Sequence, residues 1–272
     1  MSDMAALASH VQADALGLAA PLLEIDDVTV QYKTDQYLVT AAHQVSFKVY
    51  PSDRYVLFGP SGCGKSTLLK AVGGYVRPTQ GTIRLKGREI LEPGPDRMMV
   101  FQEFDQLLPW KTVRQNIEFA LEASGRLKGP QVVERAAHYL DKVGLSAFQD
   151  SYPHMLSGGM KQRVSIARGM AMEPDVLLMD EPFAALDVQA RRKMQDELLR
   201  LWDDTHFTVM FVTHSIEEAI RIGTRILLLS PHPGQVKAEL NSVPRDDEQA
   251  ESRARLEARI NEMLFTFEDA AT

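Results

Sequence analysis

Gly59-Pro60-Ser61-Gly62-Cys63-Gly64-Lys65-Ser66 constrains this chain more than any other stretch, because it fits G-x-x-x-x-G-K-[ST] at every fixed position. Tyr55-Val56-Leu57-Phe58 reads as a buried strand entering the motif, and Thr67-Leu68-Leu69-Lys70-Ala71-Val72 reads as a helix leaving it. A strand, a glycine-rich turn and a helix in that order call for an α/β layered fold. The glycines let several backbone N–H groups converge on one anion, and the positive end of the helix dipole points the same way. Residues Gly59, Pro60, Ser61, Gly62, Cys63 and Gly64 would form a phosphate cradle. Lys65 stands where it reaches terminal phosphates, and the Ser66 hydroxyl stands where it ligates Mg2+.

Two kinds of apolar pattern surround the motif. Leu23, Ile25, Val28, Val30 and Tyr32 stand among polar neighbours, and Val45 to Val49 and Thr82 to Leu85 alternate in the same way, as half-exposed antiparallel strands do. Tyr55 to Phe58, Met98 to Phe101, Val176 to Met179, Val209 to Val212 and Ile226 to Leu229 are unbroken runs, which suit a parallel sheet covered on both faces. Between them Val113, Ile117, Ala120 and Leu121, then Val132, Ala136, Leu140 and Val143, recur at helical spacing. They predict an all-helical insertion over about residues 103–172. Leu256, Ile260 and Leu264 predict a C-terminal helix within 246–272, docked by one face. Residues 1–21 are Ala-rich, carry Asp3 and Asp14, lack the basic start and apolar core of a signal peptide, and are expected to form a loose arm.

Charge and cysteine usage narrow the function. A formal net charge of -7 and the lack of any dense Lys/Arg block give no reason to expect nucleic acid as a partner. No run of eighteen apolar residues occurs, so the chain is not expected to cross a membrane by itself. Cys63 is the single cysteine, which excludes an internal disulfide and any multi-cysteine metal site. In a variable position of the loop it reads as a small residue that fits, a poor choice for a nucleophile.

Val176-Leu177-Leu178-Met179-Asp180-Glu181 is an apolar strand that ends in two carboxylates, at the sheet edge where α/β folds bind ligands. Asp180 would hold Mg2+, and Glu181, one residue on, would accept a proton from attacking water. Leu156-Ser157-Gly158-Gly159-Met160 opens a second helix, with Ser157 placed as N-cap and two glycines leaving N–H groups free for an anion. From local sequence alone a plain helix cap explains those residues equally well.

With Gln102 after the strand Met98 to Phe101, Ala185-Leu186-Asp187 and His214, these segments stand in the order and spacing of the ATP-binding subunits of ABC transporters, which the chain resembles from about Leu22 to Leu240. Leu107-Leu108-Pro109-Trp110, Tyr152-Pro153-His154 and Asp180-Glu181-Pro182-Phe183 are most similar to the nitrate, sulfonate and taurine importer group. The resemblance implies a P-loop NTPase core with a mostly parallel sheet, an antiparallel β subdomain and the helical insertion. It implies ATP and Mg2+ as cofactors, with Gln102 beside the metal and attacking water, His214 on the terminal phosphate, Thr67 adding a hydroxyl, and Tyr32 stacked on adenine with Tyr37 as rival. It further implies a head-to-tail pair of copies, in which Ser157, Gly158 and Gly159 face the partner's ATP and Asp187 lies at the seam. Integral membrane permease subunits, reached through an exposed apolar stretch at Leu107 to Trp110, would receive the motion at the cytoplasmic face of the cell membrane. Local packing is the equal alternative for Trp110. A solute-binding protein outside the cell would take part indirectly. Rival readings are a soluble ABC-type clamp on nucleic acid or ribosomes, and an efflux ATPase. Ser52-Asp53, Gly73-Gly74 and Ala184 depart from the commoner residues of the family, and none is a phosphate or metal ligand.

Overall fold

The two kinds of apolar pattern segregate into two sheets. The structure, a computed structural model, describes residues 20–33, 37–101, 106–184, 186–242 and 250–265. The expected N-terminal arm lies almost wholly outside the described residues, as do Gln102 and Ala185. In chain order the elements are β1 (Leu23–Lys33), β2 (Leu38–Val49), β3 (Arg54–Phe58), α1 (Lys65–Val72), β4 (Gln80–Leu85), β5 (Arg88–Glu89), β6 (Arg97–Val100), α2 (Val113–Ala123), α3 (Pro130–Lys142), α4 (Gly158–Ala171), β7 (Val176–Asp180), α5 (Val188–Thr205), β8 (Val209–Thr213), α6 (Ile216–Ile222), β9 (Arg225–Leu229), β10 (Val236–Asn241) and α7 (Ala250–Phe265).

The alternating segments form an antiparallel sheet in the order β2-β1-β4-β5, and the continuous runs form a six-stranded sheet in the order β10-β9-β3-β8-β7-β6. Within the second sheet β9, β3, β8, β7 and β6 are mutually parallel, and β10 closes one edge antiparallel to β9. Every residue of β3, β7 and β8 is buried. Successive side chains point to opposite faces, so each strand feeds two cores. Tyr55, Leu57, Met210, Val212, Leu227 and Leu229 join β1, β2 and α1 on one side, whereas Val56, Phe58, Phe211 and Leu228 join the remaining helices on the other.

One irregularity interrupts β1. Ile25 and Val28 are both buried although three residues apart, and the ladder with β2 shifts register between them, with Asp27 at φ 50°. A bulge there restores the inward face.

Between β6 and β7 the chain builds α2, α3 and α4. A capping box between Thr112 and Gln115 starts α2, and Pro130 at the first turn starts α3. Val113, Ile117 and Leu121 pack with Val132, Ala136 and Leu140 and with Val164 of α4. Leu256 and Ile260 of α7 are buried in that same core, and Leu264 packs partly buried against it. Among the described residues no helix is long and apolar enough to cross a membrane.

Candidate functional site

The motif sits at the C-terminal end of β3, in the middle of the parallel sheet, and its shape is braced from outside. Gly64 has φ 94°, and a Cβ there would stand 2.2 Å from the Ala41 carbonyl oxygen. Gly234 is the second constraint: its N–H donates to Ala41 O at 3.1 Å, its own carbonyl accepts from His43 N–H at 2.9 Å, and a Cβ would stand 2.1 Å from Cys63 O. β2 and the turn after β9 therefore press the loop into one conformation. Only a residue without a side chain fits at either place.

Lys65 is buried, and its ammonium donates to the carbonyls of Gly59 and Pro60, each at 2.8 Å. Among the described residues no carboxylate pairs with this cation. A buried ammonium at the mouth of a glycine-rich loop is suited to an anion. Burial pushes the Cys63 thiol up despite the nearby Lys65, so it stays a protonated filler, in keeping with the reading of it as a residue that merely fits.

Ser66 joins the loop to the second strand. Its Oγ donates to Asp180 Oδ1 at 2.7 Å, so the first residues of α1 and the last residue of β7 meet at one point. Asp180 is nearly inaccessible, and burial raises its carboxyl above the ordinary value; the Ser66 hydrogen bond, Lys70 and Lys65 pull it down, and Glu181 pushes it up. A cation beside such a carboxylate would offset the cost of its burial. Among the described residues no three His, Cys, Asp or Glu side chains cluster to hold a metal on their own. The hydroxyl and carboxylate oxygen side by side suit Mg2+, which takes its other ligands from phosphates and water.

Glu181 leaves the strand in the left-handed region, at φ 44°, a conformation that costs a residue with a Cβ and recurs at functional sites. Its N–H still donates to Val212 O at 3.2 Å, so the turn begins within the sheet. His214, one residue beyond β8 and more than half exposed, places Nδ1 3.3 Å from Glu181 Oε1. Neighbouring parallel strands thus bring the two predicted residues together. Tyr32 donates its hydroxyl to Thr67 Oγ1 at 3.0 Å, which sets its ring beside the start of α1, while Tyr37 stands 65% exposed.

Ser157 caps α4 by accepting from Met160 N–H at 3.3 Å, and it is exposed. Gly159 sits against the loop that follows Glu181, where a Cβ would lie 3.7 Å from Leu186 Cδ2. Asp187 caps α5 by accepting from Ala190 N–H at 2.9 Å. The structure gives neither Ser157 nor Asp187 a bond to the phosphate loop.

The Leu107 to Trp110 stretch differs from expectation. Leu107 is core, and only Trp110, at 70% exposure, presents a large apolar surface. Buried Asn116 explains the display: its side chain accepts from Leu108 N–H and donates to the carbonyls of Leu108, Lys111 and Thr112, which pins the turn. Sequence reading passed over Asn116, since an Asn inside a helix signals nothing by itself. It also passed over Gly234, although Pro231-His232-Pro233-Gly234 carries a turn signal.

Comparison with known proteins identifies the family. A family model described as ABC transporter matches residues 42–184. The taurine import ATP-binding protein TauB of Rhizobium johnstonii is 44% identical over 260 residues, covering 91% of this chain and 98% of that one. The nitrate import ATP-binding protein NrtD of Synechocystis sp. is 42% identical over 232 residues, covering 85% and 86%. A solved dimeric structure of the ATP-binding cassette MJ0796, in a post-hydrolysis state with ADP and Pi, matches with a TM-score of 0.70 at 30% identity, over 82% of this chain and 99% of that one. The chain belongs to the ABC transporter family, as one of its ATP-binding proteins.

Proposed function

We propose that the chain hydrolyses ATP to power import of a small solute of the nitrate, sulfonate or taurine type. The observation that carries this reading is the meeting of Lys65, Ser66, Asp180, Glu181 and His214 at one end of the parallel sheet, with Ser66 Oγ 2.7 Å from Asp180 and His214 3.3 Å from Glu181. The triphosphate would lie across the loop N–H groups and Lys65, with Thr67 adding its hydroxyl and Tyr32 flanking adenine. Bound at Ser66 and Asp180, with Gln102 contributing, Mg2+ would neutralise phosphate charge. Glu181 then takes a proton from the attacking water, and His214 steadies the terminal phosphate. Positioning and charge stabilisation do most of the work in such a reaction.

The second half of the proposal concerns assembly. Ser157, Gly158 and Gly159 would close on the ATP of a second copy, with Asp187 at the seam, because each chain owns two helix ends suited to phosphate and an isologous pair uses both. Residues 22–245 would form the ATPase unit, flanked by the arm 1–21 and the C-terminal segment 246–272. Within it, the insertion at about 103–172 would meet permease subunits at the cytoplasmic face of the cell membrane, with Trp110 as an anchor. A solute-binding protein would deliver the cargo on the far side.

The test is Glu181→Gln. Turnover is expected to fall about a hundredfold to ten-thousandfold, the range for losing a general base, while ATP affinity is kept and an ATP-bound dimer accumulates on size-exclusion chromatography. Normal turnover in that variant would refute the assignment of the base. Hydrolysis stimulated by nucleic acid, with no membrane partner recovered, would favour the clamp alternative.

A further inference from the structure

Glu218 of α6 is a buried carboxylate with no place in the chemistry described above, and its partners explain why it is there. Its Oε2 accepts from Thr213 Oγ1 at 2.6 Å, and its Oε1 accepts from Gln195 Nε2 at 3.3 Å and lies 3.6 Å from Arg191 Nε. The Thr213 hydroxyl in turn accepts from Ser215 N–H at 3.1 Å, and the Ser215 hydroxyl accepts from Glu218 N–H at 3.3 Å. Both neighbours of His214 are thereby tied to Glu218, Thr213 through the carboxylate and Ser215 through the Glu218 backbone N–H and the Thr213 hydroxyl. The imidazole itself is left more than half exposed beside Glu181.

Arg191 extends the tie to the other side of the site. Its Nε donates to Phe183 O at 3.3 Å and its second guanidinium nitrogen donates to Leu186 O at 3.0 Å. These carbonyls flank the turn between Glu181 and Asp187, and Leu186 is the side chain that Gly159 packs against. The guanidinium aims its N–H groups in fixed, coplanar directions and spreads its charge over all three nitrogens, a geometry that the point charge of an ammonium does not reproduce.

We propose that Arg191 and Glu218 are a positioning pair that locks the backbone at Phe183 and Leu186 and His214 into one unit. A displacement of the turn, wherever it comes from, is then passed to the histidine beside Glu181 through two side chains. This proposal rests on the reading of the site as an ATPase. Neither residue is among those assigned to the nucleotide above, so the pair is expected to govern the rate and leave substrate affinity alone.

The experiment is steady-state ATP hydrolysis by the full chain with MgATP, comparing Arg191→Met, Arg191→Lys, Glu218→Gln and the double variant Arg191→Met/Glu218→Gln. Each single loss is expected to lower kcat about tenfold with KM changed less than about twofold, the signature of an interaction expressed in the transition state. The double variant is expected to be no worse than the poorer single one, because members of one unit are not additive. Arg191→Lys should recover little. Thr213→Val and Thr213→Ser guard against misfolding: the first should lose kcat as Glu218→Gln does, and the second should keep it. Additive losses, a rise in KM in place of a fall in kcat, or full activity in Thr213→Val would each overturn the pairing. If wild-type chain shows no hydrolysis that Glu181→Gln abolishes, the ATPase reading fails instead.

Discussion

The start of α1 and the start of α4 are both glycine-rich helix N-termini, and their dipoles favour anions alike, yet only α1 has charged and polar side chains gathered around it. At α1 a buried ammonium, a hydroxyl paired with a carboxylate, and two glycines wedged against Ala41 and Cys63 hold the loop in one arrangement. At α4 the hydroxyl oxygen of Ser157 accepts from Met160 N–H, and the cap faces outward. A helix dipole alone is worth about 0.3–1 kcal/mol at an exposed end. On the proposed function, selectivity for a triphosphate would reside at α1, and α4 would gain a role only when another charged surface is brought to it.

That contrast is broken most directly at Lys65. Lys65→Ala is expected to weaken ATP binding about a hundredfold, since each hydrogen bond to a charged group is worth about 1.5–3 kcal/mol and tenfold in affinity is about 1.4 kcal/mol. Gly64→Ala should come close to it without touching any charge, because the new methyl and the left-handed φ displace the loop. Calorimetric titration of the two variants measures both. Wild-type affinity in either would mean that the cradle at α1 is not where ATP is held.

Ser157→Ala sharpens the other half. Loss of the cap is expected to cost about 1 kcal/mol of stability, the usual figure for an N-cap hydroxyl, and ATP affinity of the isolated chain should stay as it is. Turnover should fall nonetheless, and more steeply at low protein concentration. Should Ser157→Ala weaken nucleotide binding as severely as Lys65→Ala does, the two helix ends would belong to one site in one chain, and the proposed exchange between copies would be wrong.

What could be read from the sequence divides along the same line. The loop, the five continuous strands and the two terminal acids were legible because each is a local pattern: a glycine spacing, an unbroken run, a charge where a strand must end. Asp180 and Ser66 are far apart in the chain, but each announced itself separately. Arg191 and Glu218 did not. On the amphipathic helices α5 and α6, an Arg and a Glu read as a solvated face, and only the folded crossing of the two helices makes the carboxylate a buried acceptor. The bracing of Cys63 by Gly234, and the turn held by Asn116, are likewise relations between segments that no periodicity records. Leu107 shows the opposite error, in which an apolar residue next to an exposed Trp was read as part of the same surface.

The smallest effect, and the one that separates stability from function inside the site at α1, is expected at Asp180. Burial raises its carboxyl above the ordinary value of 3.8, in spite of the opposing pull of Ser66, Lys70 and Lys65. A carboxyl whose folded value lies above its unfolded one favours the fold when protonated, and that advantage is lost as pH rises through the folded value. At neutral pH the ionised group is therefore a cost to the protein when no cation compensates it. Asp180→Asn keeps an acceptor for the Ser66 hydroxyl and removes the charge. Urea unfolding without added nucleotide or metal should find the variant more stable than wild type at pH 7.5, with the gap closing as pH falls toward 4. Adding MgATP should reverse the order, because wild type alone regains a full metal ligand and ligand binding to the native state stabilises it by mass action. A variant less stable than wild type at neutral pH, with no metal or nucleotide present, would show that Asp180 is held by its hydrogen bonds as a structural anion, and that no cation is needed to account for a carboxylate at the end of β7.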